Sequence, residues 1–589
     1  MMKIRMSFLL AGMSLYLALP AQELKKTLVS MTPGALTNII VEADSTVLNP
    51  VLEPGVCAHL RVRGVFADGR TMILPAEDIV YGTRNKLASG RDPVVALEGN
   101  KAIPKDGGIA TITAVAAYGG RTAVATLDIV VRPYYREYHQ TLVLKLDMGM
   151  EGTPVARLAG EALFQKPHHE VLCTFAQALE VIRKTDNLTR GIPKIIYLVG
   201  WQKGGHDHLY PSWDSVNALL KRPQDSTALE SLRWLIVAAR RYHTTVSLHI
   251  NMVDAYRSSP LWDEYVKKDV FARDRNGRLL ARDIEIQGDS MYIVSYTREW
   301  EEGLAQRRID RLITMIPELR EGHTIHIDAF IDRSEMEPTL SPWHAMPQHG
   351  GIDIYREAET QHKIFRYWRS KGFDVTGEGL FWAHPPGEGF YGLQPMSWWY
   401  PTDISYQMET PEYLSARGGT DRHGDGDFRF GNSMHGEEIY LADMDSLPEF
   451  LGQFCRNTLP WYYLSRHDRL ALIHDTLFYS DDVQAAMEGT HKIIRRNDFV
   501  LRDGDDLFVP ALWAGKEIIA YSREGYASHS WLLPADWRNV ISVDIYRITI
   551  SGPELVNQSR PVAGHRLSLE LDKGEAVSIV PAGARLSGQ

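Results

Sequence analysis

Between Lys194 and Gly377 the chain alternates short apolar runs with segments of helical period. This constrains the fold more than any other feature, because strand–helix–strand order builds parallel sheets with helices on their faces. Lys194 to Trp201 is a buried-type strand carrying Ile195, Ile196, Leu198 and Val199. A helix follows from about 226, opened by Thr227 and Glu230 in the spacing of a capping box, with an apolar stripe of Leu229, Leu232, Ile236 and Ala239. Thr245 to Asn251 reads as a strand, 297–316 as a long helix, His323 to Phe330 as a strand, 353–370 as a helix and Phe373 to Gly377 as a strand. The region has room for a (β/α)8 barrel with long loops. A doubly wound sheet is the competitor, and the glycine fingerprint of a dinucleotide site is not found.

The flanks have another texture. From about 23 to 135, Asp68-Gly69 and Gly119-Gly120 read as hairpin turns. Ala123, Leu127, Ile129 and Val131 alternate with polar residues at the period of a half-buried strand. An immunoglobulin-like β-sandwich is expected there. From about 500 the alternation returns, with Leu567, Leu569 and Leu571 against Ser568, Glu570 and Asp572. The expected fold is therefore a multidomain α/β chain: a central (β/α)8 TIM-like barrel over 137–495, an N-terminal Ig-like β-domain over 22–136 and a C-terminal β-sandwich domain over 496–589. Residues 1–21 read as a signal peptide. Lys3 and Arg5 precede the apolar run Met6 to Leu19, and Leu-Pro-Ala offers a cleavage site. The protein is expected to be exported by the Sec route, to the periplasm or beyond the cell. The apolar run is short for a membrane span, and no later stretch is long and apolar enough for one.

Composition narrows the functional class. The 589 residues carry 64 basic against 74 acidic side chains, which argues against a nucleic-acid partner. Ten per cent aromatic residues suit a protein that stacks on sugar faces, and equally a large core. Cys57, Cys173 and Cys455 are too few and too scattered for a disulfide framework or a zinc pattern, and Cys173 reads as core. There is no His-Glu-x-x-His.

In a barrel the active site lies at the C-terminal ends of the strands, so carboxylates there are the informative ones. Asp328 ends one strand, on the same side as His326. Glu378, flanked by glycines, ends the next. Two carboxylates on successive strand ends suit a retaining glycosidase, one attacking the anomeric carbon and the other protonating the leaving oxygen. The bland alternative is an ion pair with Arg, or a loop cap. Trp382 and the Trp398-Trp399-Tyr400 run are candidate sugar platforms, or core. Asp421, Asp425 and Asp427 lie in a Gly-rich loop that reads either as solvated or as a calcium site. No cofactor is otherwise required.

Gly200-Trp201-Gln202-Lys203-Gly204-Gly205-His206-Asp207, followed by Tyr210-Pro211, resembles a signature of glycoside hydrolase families 101 and 129, the endo- and exo-acting α-N-acetylgalactosaminidases of mucin-type O-glycans. His249-Ile250-Asn251 with Asp254-Ala255-Tyr256 is similar to their next strand-end motif, and Lys371 to Glu378 to the strand leading to their acid/base Glu. The likeness covers roughly 190–470. It implies a (β/α)8 barrel and net retention, with Asp328 as nucleophile and Glu378 as acid/base. It also implies a carbohydrate substrate held by residues among Trp201, Lys203, His206, Asp207, His249, Asn251, His326, Trp382, Trp398 and Trp399. The stretch Asp332 to Gly351 looks longer than in the endo-acting family. Exo-action is favoured because the chain is compact. Endo-action, α-galactosidase activity and a non-catalytic glycan-binding role are the alternatives.

Overall fold

A computed structural model describes residues 34–90, 92–149, 154–158, 161–162, 171–286, 288–330, 341–377, 392–397, 408, 414–415, 427–430, 439–440, 447–584 and 586. The expected signal segment lies outside them. The fold is multidomain α/β, with a sheet-rich C-terminal region.

At its centre is an all-parallel sheet of eight strands: β1 (Leu142–Asp147), β2 (Lys194–Val199), β3 (Thr244–Asn251), β4 (Thr324–Asp328), β5 (Asp374–Gly377), β6 (Met396–Ser397), β7 (Leu414–Ser415) and β8 (Ile439–Tyr440). Their order is β7–β6–β5–β4–β3–β2–β1–β8, so sequence neighbours are spatial neighbours and the last strand returns beside the first. Helices α1 (Phe175–Leu188), α2 (Ala228–Ala238), α3 (Leu304–Met315) and α4 (Ile354–Ser370) connect β1 through β5. Every residue of β1 and β2 is buried, as expected of strands covered on both faces.

The helices begin where their caps dictate. Thr227 and Glu230 form the capping box read from the sequence, and Thr174 with Gln177 forms a second. Asp353 caps α4 by accepting from the Arg356 N–H at 2.9 Å. The expected helix over 297–316 is two helices. Tyr296–Glu301 ends at Gly303, whose φ of 70° takes the chain out of the helical region before α3 starts. Cys173 is fully buried just ahead of α1, and all three cysteines are free thiols.

The loops after β1 and β3 do not simply turn back. Pro154–Leu158 and Glu161–Ala162 join Asp254–Ala255, Ala281–Ile286 and Asp289–Ile293 in a five-stranded sheet of their own. This accessory sheet grows from the strand ends where a parallel sheet places its site.

In the N-terminal region a five-stranded sheet faces a four-stranded one over cores that include Leu60, Ala110, Ile112 and Ile129 in one part and Ile39, Val62, Phe66 and Ala114 in the other. The Gly119-Gly120 turn joins Gly108–Tyr118 to Arg121–Val131 with both glycines at positive φ, as a two-residue hairpin needs. In the C-terminal region a ten-stranded antiparallel sheet starts at Arg469 and is overlaid by the pair Tyr526–Leu532 and Arg566–Leu571. Four strands between Arg469 and Arg496 thus belong to this sheet, ahead of the boundary expected at 496. Their alternation is blurred by half-exposed Leu and Ile, which hides it from a pattern reading.

Candidate active site

Side chains two apart on a strand share a face, and register partners in a parallel ladder share it too. His249 pairs with His326, and Asn251 with Asp328. One face of β3 and β4 thus carries Ser247, His249 and Asn251 beside Thr324, His326 and Asp328. Lower on that face the polar groups satisfy one another. The Tyr138 hydroxyl donates to Thr324 Oγ1 at 2.7 Å, Ser247 Oγ donates to the Thr324 carbonyl at 2.6 Å, and His326 Nδ1 lies 3.0 Å from Thr376 Oγ1. Upper on the face, Asp328 is the last strand residue and its side chain keeps 16% exposure. Ala329 follows in the left-handed region at φ 48°, so the chain turns away directly after the carboxylate.

Three side chains converge on Asp328. His249 Nε2 lies 3.5 Å from Oδ1 and Asn251 Nδ2 lies 3.4 Å from Oδ2. The third, His206, comes from the loop after β2. Gly200 opens that loop at φ 70°, where a Cβ would stand 1.9 Å from the Gly149 carbonyl oxygen. The His206 N–H donates to the same oxygen at 2.9 Å, tying the loop to the end of β1. The His206 ring then sits 5.4 Å from that of His249, and its Nε2 lies 3.4 Å from Asp207 Oδ1. One ligand atom each from His206, His249 and Asp328 fall within 4.8 Å of one another. Two imidazoles and a carboxylate suit a transition ion better than calcium, which prefers oxygen ligands. As hydrogen-bonding groups, the same three suit a sugar hydroxyl.

Two further carboxyls surround this group. Asp254 is buried and pushed up to about 7, chiefly by burial and then by the charge of Asp207. Asp147, at the end of β1, is pushed up to about 6 by burial, with His206 opposing and Asp207 adding to the shift. The sequence reading left out Asp147, although the run Leu-Val-Leu-Lys-Leu-Asp has the same strand-end signature that singled out Asp328.

The remaining predicted residues divide cleanly. Trp201 is fully buried, and its indole N–H donates to the His249 carbonyl at 3.0 Å, fixing the end of β3. Lys203 is exposed on the loop that carries His206. Asp427 has both carboxylate oxygens taken by the Arg429 guanidinium, Oδ1 at 2.9 Å and Oδ2 at 2.6 Å. Glu378, Trp382, Trp398, Trp399, Asp421 and Asp425 lie outside the described residues.

Residues 170–373 match the family model described as endo-alpha-N-acetylgalactosaminidase, a segment that runs from ahead of α1 to the foot of β5 and contains His206, His249, Asn251 and Asp328. The chain is an enzyme, a glycoside hydrolase. No curated protein matches it in sequence. Among solved structures, the chain is similar to alpha-N-acetylgalactosaminidase NagBb from Bifidobacterium bifidum. The quadruple mutant is 11% identical with a TM-score of 0.43, over 78% of this chain and 92% of that one. Its GalNAc complex is 12% identical at 0.40, over the same shares. The alpha-amylase from Geobacillus thermoleovorans, complexed with acarbose, is 13% identical at 0.36, over 75% of this chain and 99% of that one. Among the described residues no helix is long and apolar enough to cross a membrane.

Proposed function

We propose that this glycoside hydrolase is a retaining α-N-acetylgalactosaminidase acting on mucin-type O-glycans, with Asp328 as nucleophile and Glu378 as acid/base. The observation that carries the reading is the gathering of His206, His249 and Asn251 on the one part-exposed carboxylate at the end of β4. Asp328 attacks the anomeric carbon while Glu378, which follows Gly377 of β5 directly in sequence, protonates the leaving oxygen. Glu378 then takes a proton from the water that releases the sugar with net retention. His206 and His249 bind hydroxyls of the bound sugar. The strand order supports closure of the parallel sheet into a (β/α)8 barrel, and the two facing N-terminal sheets support an Ig-like sandwich. The reading includes export through the signal segment.

Exo-action is the first reading proposed. Endo-action is the second reading, favoured by the description of the matching family model. Aryl α-GalNAc, aryl α-Gal and aryl Galβ1-3GalNAcα substrates decide between them. Release from aryl α-GalNAc is expected, falling by about a thousandfold or more in Asp328→Asn. Release from the disaccharide glycoside alone makes the enzyme endo-acting, and release from aryl α-Gal alone makes it a galactosidase. Undiminished turnover in Asp328→Asn removes the nucleophile assignment.

A further inference from the structure

The accessory sheet meets the parallel sheet at Asp254, three residues beyond the end of β3. Asp254 pairs with Ile293 there, in the first of the accessory strands contributed by the β3 loop. Asn251 stands between Asp254 and Asp328. Its Oδ1 accepts the N–H groups of Val253 at 2.7 Å and Asp254 at 2.9 Å. Those two donors fix which way the amide faces, because the amide oxygen must point to them. Nδ2 is therefore left with its two hydrogens directed at carboxylates, Asp254 Oδ2 at 2.7 Å and Asp328 Oδ2 at 3.4 Å. The Asn251 backbone is held from behind, where Arg308 Nη2 donates to its carbonyl at 3.0 Å. Asn251 is fully buried and Asp254 is 7% exposed, so neither offers a surface to substrate.

We infer that Asp254 is a positioning residue: through the Asn251 amide it sets the orientation of the Asp328 carboxylate and so couples the accessory sheet to the reacting group. The inference rests on Asp328 being the nucleophile. The short bond to Asp254 holds the amide, and the amide presents its second hydrogen to the one Asp328 oxygen that is to stay behind while the other attacks. Loss of the short bond frees the amide to rotate and lets the carboxylate turn. A misplacement of about 1 Å at a reacting atom costs on the order of a hundredfold in rate.

Steady-state kinetics on aryl α-GalNAc test this with single and paired variants. Asp254→Ala is expected to lower kcat by about ten- to a hundredfold with KM within about twofold of the parent, since substrate contacts are untouched. Asp254→Asn keeps an oxygen that accepts from Asn251 and is expected to recover most of the loss. Asn251→Ala is expected to resemble Asp254→Ala, and the double variant to be no worse than Asn251→Ala alone. Losses that multiply in the double variant, a rise in KM in place of the fall in kcat, or an Asp254→Asn enzyme as poor as Asp254→Ala each overturn the coupling. If Asp254→Ala does not fold, Asp254→Glu, which displaces the acceptor, takes its place. Its deficit should vanish in the Asn251→Ala background. Turnover that survives Asp328→Asn removes the nucleophile reading itself, separately from the paired-variant result.

Discussion

Gly200 ends β2 at a point where no other residue fits. Its φ of 70° costs an L-residue about 1–2 kcal/mol, and a Cβ would overlap the Gly149 carbonyl at 1.9 Å. That carbonyl also accepts from the His206 N–H, so any shift that makes room also moves His206 away from His249 and Asp328. Gly200→Ala is therefore expected to lose at least about 2 kcal/mol of stability, with a larger fall in kcat/KM than destabilisation alone produces. Gly119→Ala is the control. It has a similar positive φ with open space around it, and should cost only the conformational part and leave activity intact. Equal effects of the two on thermal midpoint and on turnover would contradict the account. At this scale the sequence was informative where a residue's role follows from its place in a strand. His249, Asn251, His326 and Asp328 share a face because a period of two allows nothing else. The family resemblance implied a substrate contact for Trp201, but the ring is fully buried and its indole N–H is given to the His249 carbonyl, through a turn that no periodicity encodes.

Element boundaries followed the capping and strand signals through α2, α4 and β2 to β5, since those signals are local. They failed at 297–316, where the apolar stripe of Ala305, Ile309 and Leu312 starts only beyond Gly303 and gives no sign of the break ahead of it. The same stripe hides a charge. Arg308 lies among Ala305, Ile309 and Leu312 on the buried face of α3 at 4% exposure, against a fully buried Glu299 from the preceding helix. The Tyr265 hydroxyl donates to the same carboxylate at 2.6 Å, and the Arg308 guanidinium lies 3.9 Å from the Trp213 ring. This pair joins two helices to the carbonyl of Asn251, so an element-level defect would reach the site. Arg308→Met leaves Glu299 uncompensated and is expected to cost about 3–5 kcal/mol. The double variant with Glu299→Gln removes the stranded charge and should regain a good part of it. Denaturant midpoints of the two variants decide this, and a double variant no more stable than Arg308→Met rules out the stranded charge as the cause. Chain pattern alone did not show the accessory sheet, because its strands are short and drawn from loops far apart in sequence.

The C-terminal sheet shares one apolar core with the central region, with Phe454 and Trp461 clustered together with Phe508 and Ile519, whereas the N-terminal cores are separate from it; polar groups reinforce both junctions. On the C-terminal side, Arg190 pairs with Glu517 at 2.7 Å with both side chains buried, and Ser578 Oγ donates to the same carboxylate at 2.6 Å. On the N-terminal side, Arg366 of α4 pairs with Asp106 at 2.7 Å, and a second connection is made by Asp374, at the start of β5. Its oxygens accept the Tyr135 N–H at 2.9–3.0 Å and the Arg136 N–H at 3.1 Å, while the Tyr135 ring stacks on His323 at 4.9 Å. Burial pushes Asp374 up to about 7, against the opposing effects of the Tyr135 and Arg136 N–H groups and the Arg369 and Arg136 charges. In the unfolded chain the same carboxyl titrates near 3.9. Between these values the folded state holds a proton that the unfolded state has lost, so this group's contribution to stability falls as pH rises from about 4 to about 7 and then levels off. About three pH units correspond to at most about 4 kcal/mol. Asp374→Asn has no proton to exchange, so its stability should fall less over that window than the parent's. Thermal midpoints of parent and variant at pH 5 and pH 8 measure the difference directly. The gap between them should move in the variant's favour at pH 8, whatever the absolute cost of replacing an oxygen by an amide among three N–H contacts. A gap independent of pH would mean that Asp374 is ionised throughout, and that its hydrogen bonds to the connecting segment outweigh its burial.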